Sequence, residues 1–193
     1  MPEPAAGPWV VVLTGPPGSG KTTTARELGR LLGAVLFDLD AVTNPLVDVV
    51  GSLLGTSDYD DPELVALVRT PRYQTLLRVA DECVAAGVPA ILVGPFTAER
   101  RDAAAWAALA DRLTALGARV RLAWLRLPAD ELARRIAARG AERDSGKFED
   151  LAAFLREAGA TPAVPFIEVD ALLPPEEQAR SVLVRLDSPA SQP

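Results

Sequence analysis

Five short runs of apolar, often β-branched residues recur along the chain and predict the strands of a buried sheet. They occupy residues 10–14, 34–40, 88–94, 119–127 and 164–169. Runs with so little polar alternation are typical of parallel strands that are covered on both faces. Between them, apolar residues repeat at helical spacing. The alternation predicts a three-layer α/β domain with a five-stranded parallel sheet.

Glycine and proline punctuate the segments between the strands. We expect helices over residues 21–32, 46–54, 63–69, 72–86, 99–116, 129–139, 148–158 and 176–186. Asn44-Pro45 and Pro71 are expected to break the chain, because proline has no backbone N–H to donate within a helix. This interpretation places Arg69, Arg72 and Tyr73 at the start of a helix.

Length and composition fit one ordinary globular domain. The chain has 193 residues, of which 49% are hydrophobic and 24% charged. We expect a single domain over residues 9–186, a flexible leader over 1–8 and a disordered tail over 187–193. No apolar stretch reaches membrane-spanning length and the first residues lack the pattern of a signal peptide, so we expect a cytoplasmic protein without a membrane partner.

Charge and rare residues narrow the chemistry. The net charge of −6 provides no basic field for a polyanion, so binding to extended nucleic acid is disfavoured. Cys83 is the only cysteine and there is no histidine, which excludes an intrachain disulfide and a Cys/His zinc site. Any metal must therefore have oxygen ligands, and any catalytic base must be a carboxylate.

The most informative stretch follows the first apolar run. Residues 15–22 read GPPGSGKT, the P-loop pattern, with a strand before it and a helix after it. Its glycines allow successive backbone N–H groups to turn inward around a phosphate chain, which Lys21 can reach, while the Thr22 hydroxyl is placed to bind Mg²⁺. The alternative, a turn that binds nothing, fits these flanking elements less well. The predicted nucleotide-binding residues are Gly15, Pro16, Pro17, Gly18, Ser19, Gly20, Lys21, Thr22 and Thr23.

Two carboxylates close the second predicted strand. Side chains alternate along a strand, so Asp38 and Asp40 are expected on one face, roughly 7 Å apart, at the carboxyl edge where α/β sheets bind ligands. Either one alone could instead cap the next helix or lie in solvent. The third predicted strand ends in Gly-Pro-Phe-Thr without an aspartate, so Asp38 is the best candidate for the carboxylate on the Mg²⁺ side.

Together these features resemble the small P-loop kinases of the nucleoside monophosphate kinase type. The likeness rests on the P-loop, the Asp-x-Asp at residues 38–40, a long helix before strand three and an Arg-rich helix after strand four. Gluconate and shikimate kinases, chloramphenicol phosphotransferases and zeta toxins are the most similar groups. The resemblance implies sheet order 2-3-1-4-5, a helical lid over about residues 134–160, and transfer of the ATP γ-phosphate to a hydroxyl of a sugar acid, nucleoside or antibiotic-like metabolite.

The resemblance also assigns residues on the lid. Such kinases deliver lid arginines to the transferring phosphate, and Arg135, Arg139 and Arg143 are similar in place and kind. Arg135 and Arg139 share a helical face, and Arg139 and Arg143 would also contact ATP. The alternative for Arg135 is an ion pair with Glu131, one turn earlier.

The acceptor is expected across strands two and three. Asp40 is the candidate that binds or deprotonates its hydroxyl, although the roles of Asp38 and Asp40 could be exchanged. If Arg69 or Arg72 faces the cleft, the acceptor carries a carboxylate or phosphate. The chain lacks the glycine run that follows strand three in shikimate kinases, and its loop there differs from that of gluconate kinases. The candidate acceptor-site residues are Asp40, Arg69, Arg72, Tyr73, Phe96 and Arg100.

Two other functional classes are compatible with the sequence. One is an ATP-binding regulator or slow NTPase without an acceptor, although the Asn-Lys-x-Asp segment of switch GTPases is absent. The other is a polynucleotide-end or toxin-type kinase, which the acidic charge disfavours. Either class, like the small-molecule kinase, would act as a monomer or homodimer.

Overall fold

One parallel sheet forms the centre of the molecule. The computed structural model describes residues 7–138 and 159–188. The strands pair in the order β2-β3-β1-β4-β5, all in parallel. The predicted fold class and sheet order are therefore confirmed. The strands are β1 Trp9–Thr14, β2 Val35–Asp38, β3 Ala90–Val93, β4 Arg119–Arg126 and β5 Ile167–Asp170.

Helices cover both faces of the sheet. In the described ranges they are α1 Lys21–Leu32, α2 Leu39–Leu54, α3 Pro62–Ala85, α4 Thr97–Arg101, α5 Ala103–Ala115, α6 Ala129–Ala138 and α7 Pro175–Leu183. One core cluster joins the sheet to α1, α6 and α7, and a second joins it to α3 and α5. No helix in the described ranges combines the length and apolarity needed to cross a membrane.

The central strand explains why the first apolar run is continuous. All six residues of β1 are buried. Val11 and Leu13 belong to the α1 and α7 side of the core, whereas Val10 and Val12 belong to the α3 and α5 side. Because neighbouring side chains point to opposite faces, both faces need apolar residues. The carboxyl ends of the strands then meet at one edge of the sheet, where the P-loop begins.

The second strand is shorter than predicted. It ends at Asp38, and Asp40 lies in the first turn of α2. The prediction that both carboxylates share a strand face is therefore wrong. The cause is the Asp38 side chain, whose Oδ1 accepts hydrogen bonds from the backbone N–H groups of Asp40 (3.1 Å) and Ala41 (3.4 Å). This cap starts the helix at Leu39.

The two predicted proline breaks are also absent. Helix α2 continues through Pro45, and α3 continues through Pro71. A proline removes one backbone hydrogen bond, but α2 buries residues on both sides of Pro45 and α3 does so around Pro71, so packing holds each helix together. Arg69, Arg72 and Tyr73 consequently lie in the middle of α3 rather than at a helix start.

Other boundaries differ more modestly. The helix predicted over 99–116 is two helices, because the Asp102 side chain accepts the Ala105 N–H (2.7 Å) and starts α5 anew. The helix over 148–158 and most of the lid, with Arg139 and Arg143, lie outside the described residues. Asp187, placed at the start of the tail, forms an ion pair with Arg119 (2.8 Å).

Candidate functional site

The P-loop connects the end of β1 to the start of α1. Gly15 has φ +153°, and a Cβ there would lie 2.9 Å from the Leu125 carbonyl oxygen and 3.0 Å from Ser19 Oγ. Gly20 caps α1 with φ +90°. Only glycine fits the first position and adopts the second without strain. The loop is therefore pressed closely against β4.

The concave side of this loop has the donors of an anion site. No side chain caps the N-terminus of α1, and its first turn contains no acidic residue. The buried hydroxyl oxygen of Ser19 has no hydrogen-bond partner among the residues that the structure describes. Lys21 Nζ donates to the carbonyl oxygens of Gly15 (3.0 Å) and Pro16 (2.9 Å), which places its ammonium over the loop. These groups fit a bound phosphate chain.

Thr22 links the P-loop to the second strand. Its hydroxyl donates to Asp38 Oδ2 at 2.6 Å, while Asp38 Oδ1 caps α2. One short contact therefore fixes the relative positions of the loop, the strand end and the following helix. A hydroxyl and a carboxylate are oxygen ligands of the kind that Mg²⁺ prefers, so Thr22 and Asp38 fit that ion.

Asp40 does not lie on a strand face with Asp38; it forms an ion pair with Arg72. The Arg72 Nη2 donates to Asp40 Oδ1 (2.5 Å) and to Asn44 Oδ1 (2.9 Å), and its Nε donates to Thr43 Oγ1 (2.7 Å). The Arg72 side chain is 19% exposed, whereas that of Asp40 is 74% exposed. The carboxylate thus faces solvent next to a guanidinium that three α2 side chains hold in place.

Tyr73 attaches α3 to the turn after β3. The Phe96 N–H donates to the Tyr73 hydroxyl (3.2 Å), and the two rings meet edge to face with centroids 5.4 Å apart. Phe96 has φ +41°, and it is the only non-glycine residue with a positive φ in the described ranges. Burial raises the pKa of Tyr73 above its usual 10.0, and the nearby carboxylate of Glu99 acts in the same direction. The Thr14 hydroxyl holds the same turn by donating to the Pro95 carbonyl oxygen (2.7 Å).

The remaining arginines of the predicted acceptor site have different surroundings. Arg100 is buried, and its Nη1 donates to the Ala160 carbonyl oxygen (2.6 Å). Arg69 is exposed on α3, one turn before Arg72 and Tyr73. The structure therefore brings Asp40 and Arg72 together and seats Phe96 against Tyr73, but it buries Arg100 against the chain.

Arg135 connects α6 to the P-loop. Its guanidinium donates to Glu131 (2.6 Å), to the Gly18 carbonyl oxygen (3.1 Å) and to the Ala171 carbonyl oxygen (3.4 Å). The ion pair between Glu131 and Arg135, the alternative that their spacing offers, is thus present, together with contacts to the P-loop. Hydrogen bonds from Arg134 and Arg135 lower the pKa of the Glu131 carboxyl to about 2.

The sequence did not predict the contacts of two groups of residues. Thr43 and Asn44 stand three and four residues after Asp40, which is helical spacing, but the expected break at Pro45 concealed it. Thr24 and Gln178 are buried and their side-chain oxygens lie 2.5 Å apart. No sequence signal joins them, because they are far apart along the chain.

Comparison with known proteins identifies a family and solved structures with the same fold. A family model described as an AAA domain matches residues 10–160. None of the curated proteins matches the sequence. Among solved structures, a candidate kinase from Chloroflexus aurantiacus J-10-fl superposes with a TM-score of 0.69 at 21% identity, covering 97% of this chain and 100% of its own.

Two further structures share the fold. A sugar kinase from Janibacter sp. HTCC2649 has a TM-score of 0.61 at 24% identity over 94% of this chain and 95% of its own. A gluconokinase from Sinorhizobium meliloti 1021 has a TM-score of 0.56 at 20% identity over 93% and 91%. The chain therefore belongs to the AAA domain family and has the fold of the small P-loop kinases of the nucleoside monophosphate kinase-like group.

Proposed function

We propose that this protein is an ATP-dependent phosphotransferase that moves the γ-phosphate of ATP to a hydroxyl of a small molecule. The observation that carries the proposal is the 2.6 Å contact between Thr22 and Asp38. It joins the P-loop to the end of β2, and the other oxygen of Asp38 accepts the backbone N–H of Asp40, whose carboxylate is exposed. A nucleotide-binding regulator would not need a second carboxylate at this place.

The P-loop residues would bind the phosphates of ATP. The backbone of residues 15–20 and the start of α1 supply N–H donors, with Thr22 and Thr23 in the first turn, and Lys21 supplies a positive charge. A Mg²⁺ ion bound by Thr22 and Asp38 would neutralise charge on the phosphates.

Asp40 would bind and orient the acceptor hydroxyl. In the transfer, the hydroxyl oxygen forms a bond to the γ-phosphorus, the bond to the β,γ-bridging oxygen breaks, and ADP leaves. The hydroxyl proton passes to Asp40 Oδ2. Because the transition state of phosphoryl transfer is loose, orientation matters more than base strength. Arg72 would hold Asp40, and Tyr73 would hold the Phe96 turn that adjoins the end of β1.

The arginines after β4 would act on the nucleotide side. Arg135 already contacts the P-loop at Gly18, so it would keep that loop and α6 together. Arg139 and Arg143 remain candidates for contacts to the transferring phosphate, and the family resemblance is what supports them. Arg69, exposed on α3 one turn before Arg72, remains a candidate for the acceptor site, and Arg100 is a weaker one because it donates to the Ala160 carbonyl oxygen.

The proposal can be tested by measuring ADP formation with ATP, Mg²⁺ and a panel of hydroxylated acceptors, with the phosphorylated product identified by mass. We expect one acceptor class to raise turnover. Asp40→Asn should lower that turnover about 100-fold and keep ATP binding, whereas Lys21→Ala should weaken ATP binding at least tenfold.

Arg30→Ala is the matched control for Lys21, because it removes an exposed cation from the same helix. We expect it to bind ATP normally. ATP binding without acceptor-dependent turnover anywhere in the panel would favour the regulator, and full activity of Lys21→Ala would refute the P-loop assignment.

A further inference from the structure

Within the predicted acceptor site, Arg72 is already paired with a carboxylate of the protein. Arg72 is the cation of α3 that reaches α2, and Asp40 occupies one side of its guanidinium at 2.5 Å. Asn44 and Thr43 add uncharged oxygens at 2.9 and 2.7 Å. The cluster of Asp40, Thr43, Asn44 and Arg72 therefore carries no net charge.

The cluster is built before any ligand arrives. The Thr43 hydroxyl donates to the Leu39 carbonyl oxygen (2.6 Å), which leaves its oxygen lone pairs for Arg72 Nε. The Arg72 side chain is only 19% exposed and keeps little freedom to turn. An acidic ligand would have to displace Asp40 from Arg72 or bind against the Asp40 carboxylate.

The hydrogen-bonding atoms that the cluster leaves unused suit hydroxyl groups. Within the described ranges, Asp40 Oδ2 and Arg72 Nη1 make no hydrogen bond. Asp40 Oδ2 can therefore accept a hydrogen bond from a ligand, and Arg72 Nη1 can donate one. A hydroxyl can donate to the carboxylate while a neighbouring hydroxyl accepts from the guanidinium. A single carboxylate group on the ligand could satisfy only Arg72 and would be repelled by Asp40.

We propose that the acceptor is an uncharged polyol with adjacent hydroxyl groups, and that the Asp40–Arg72 pair selects it over the corresponding acid. This inference rests on the proposed phosphotransferase function. It differs from the expectation that an arginine facing the cleft marks an acidic acceptor, because Asp40 offsets the positive charge of Arg72.

Matched pairs of acceptors test the proposal. Glucitol with gluconate, and ribitol with ribonate, differ in charge but share the hydroxyl chain. With the wild-type protein we expect kcat/KM for each polyol to exceed that for its acid by roughly tenfold or more, the factor that one exposed like-charge contact gives. An acid that is preferred, or an acceptor without adjacent hydroxyls that is the best substrate, would overturn the inference and leave the phosphotransferase standing.

Asp40→Asn provides a second readout that does not depend on turnover. Removing the carboxylate frees the charge of Arg72, so binding of the acids, measured by calorimetry with a non-hydrolysable ATP analogue, should strengthen about tenfold while binding of the polyols weakens. Asp111→Asn makes the same charge change at an exposed position of α5 and should leave both affinities unaltered. An equal change in the two variants would contradict the role of the pair. If neither polyols, acids nor the wider panel raise ADP formation, the proposed function fails and the inference falls with it.

Discussion

At the scale of single residues, close contacts decide whether the P-loop can form. The backbone of Gly15 passes so near to β4 that no room is left for a methyl group. Lys21 then directs its ammonium toward carbonyl oxygens of the loop, and Thr22 directs its hydroxyl toward Asp38. The site therefore depends on both the missing side chain of one residue and the functional groups of two others.

Gly15→Ala should destabilise the fold and weaken nucleotide binding. A Cβ would lie about 3 Å from Leu125 and Ser19, at a φ that favours glycine, so we expect a loss of about 2–4 kcal/mol in the free energy of unfolding and at least tenfold in ATP affinity. Gly33→Ala is the matched control, because Gly33 has φ +62° and open space around its Cβ position. It should cost only about 1 kcal/mol and leave ATP binding intact. Urea unfolding and calorimetry measure both quantities, and similar losses in the two variants would contradict the argument from close contact.

At the scale of elements, α3 holds together the segments proposed to bind the acceptor. Two consecutive residues point to different partners: Arg72 contacts α2 through Asp40, and Tyr73 contacts the turn after β3 through Phe96. The unusual backbone of Phe96 is held by that hydrogen bond and by the packing of the two rings. Helix α3 therefore fixes α2 and the β3–α4 turn relative to each other.

Tyr73→Phe should lower stability in a way that depends on pH. The variant leaves the buried Phe96 N–H without its partner, so we expect a loss of about 1–3 kcal/mol at pH 7. Burial raises the pKa of the folded Tyr73 above 10.0, so its contribution is present below pH 10 and is lost as the pH rises through the folded value. The wild type and the variant should therefore approach each other in stability above pH 10.

Urea unfolding at pH 7 and pH 10.5 measures this difference. Tyr59→Phe serves as the control, because Tyr59 is exposed and its hydroxyl bonds to Asp48 at the surface. We expect it to lose less than about 1 kcal/mol at pH 7. Equal losses in Tyr73→Phe and Tyr59→Phe at pH 7 would refute the assigned role of the Tyr73 hydroxyl, and a constant gap between the wild type and Tyr73→Phe across this pH range would contradict the raised pKa of Tyr73.

At the scale of the whole molecule, a buried polar network joins the nucleotide site to the last helix. Thr24 Oγ1 lies 3.1 Å from the Gly20 carbonyl oxygen and 2.5 Å from Gln178 Oε1. Gln178 Nε2 in turn donates to the Leu173 carbonyl oxygen at 2.7 Å. Arg135 makes a second link between these parts, from Gly18 to the turn after β5. Helix α7 and the turn after β5 thus support the P-loop.

Gln178→Ala should destabilise the whole domain. It creates a cavity and removes the partner of the Leu173 carbonyl oxygen inside the core, for which we expect about 2–3 kcal/mol. Gln74→Ala changes the same residue type at an exposed position of α3 and should cost less than about 0.5 kcal/mol. Thermal unfolding with and without ATP measures the effect. Equal melting temperatures for the two variants would show that the network does not support the domain.

Much of the nucleotide side could be predicted from local sequence. The P-loop, the buried β1 and the bounds of α1 follow from neighbouring residues, because glycine conformations, strand burial and helix termination act over a few positions. The sheet order and the fold class followed from the alternation of elements and the family resemblance. An aspartate before a helix allows the cap that Asp38 gives to α2, but the residue type alone does not choose between that cap and a place on the strand face.

The contacts of the proposed acceptor site depend on tertiary structure. Arg72 meets Asp40 across 32 positions of sequence, and Arg135 meets Gly18 across 117. Pro45 and Pro71 remain within helices because packing against the core outweighs one missing hydrogen bond at each. The sequence by itself predicted a phosphate site at the P-loop, since the donors of such a site are consecutive backbone groups. The Glu131–Arg135 ion pair also follows from local spacing, because the two residues lie one helical turn apart. Only the folded chain decided which charges pair between distant segments, because no local pattern specifies those distances.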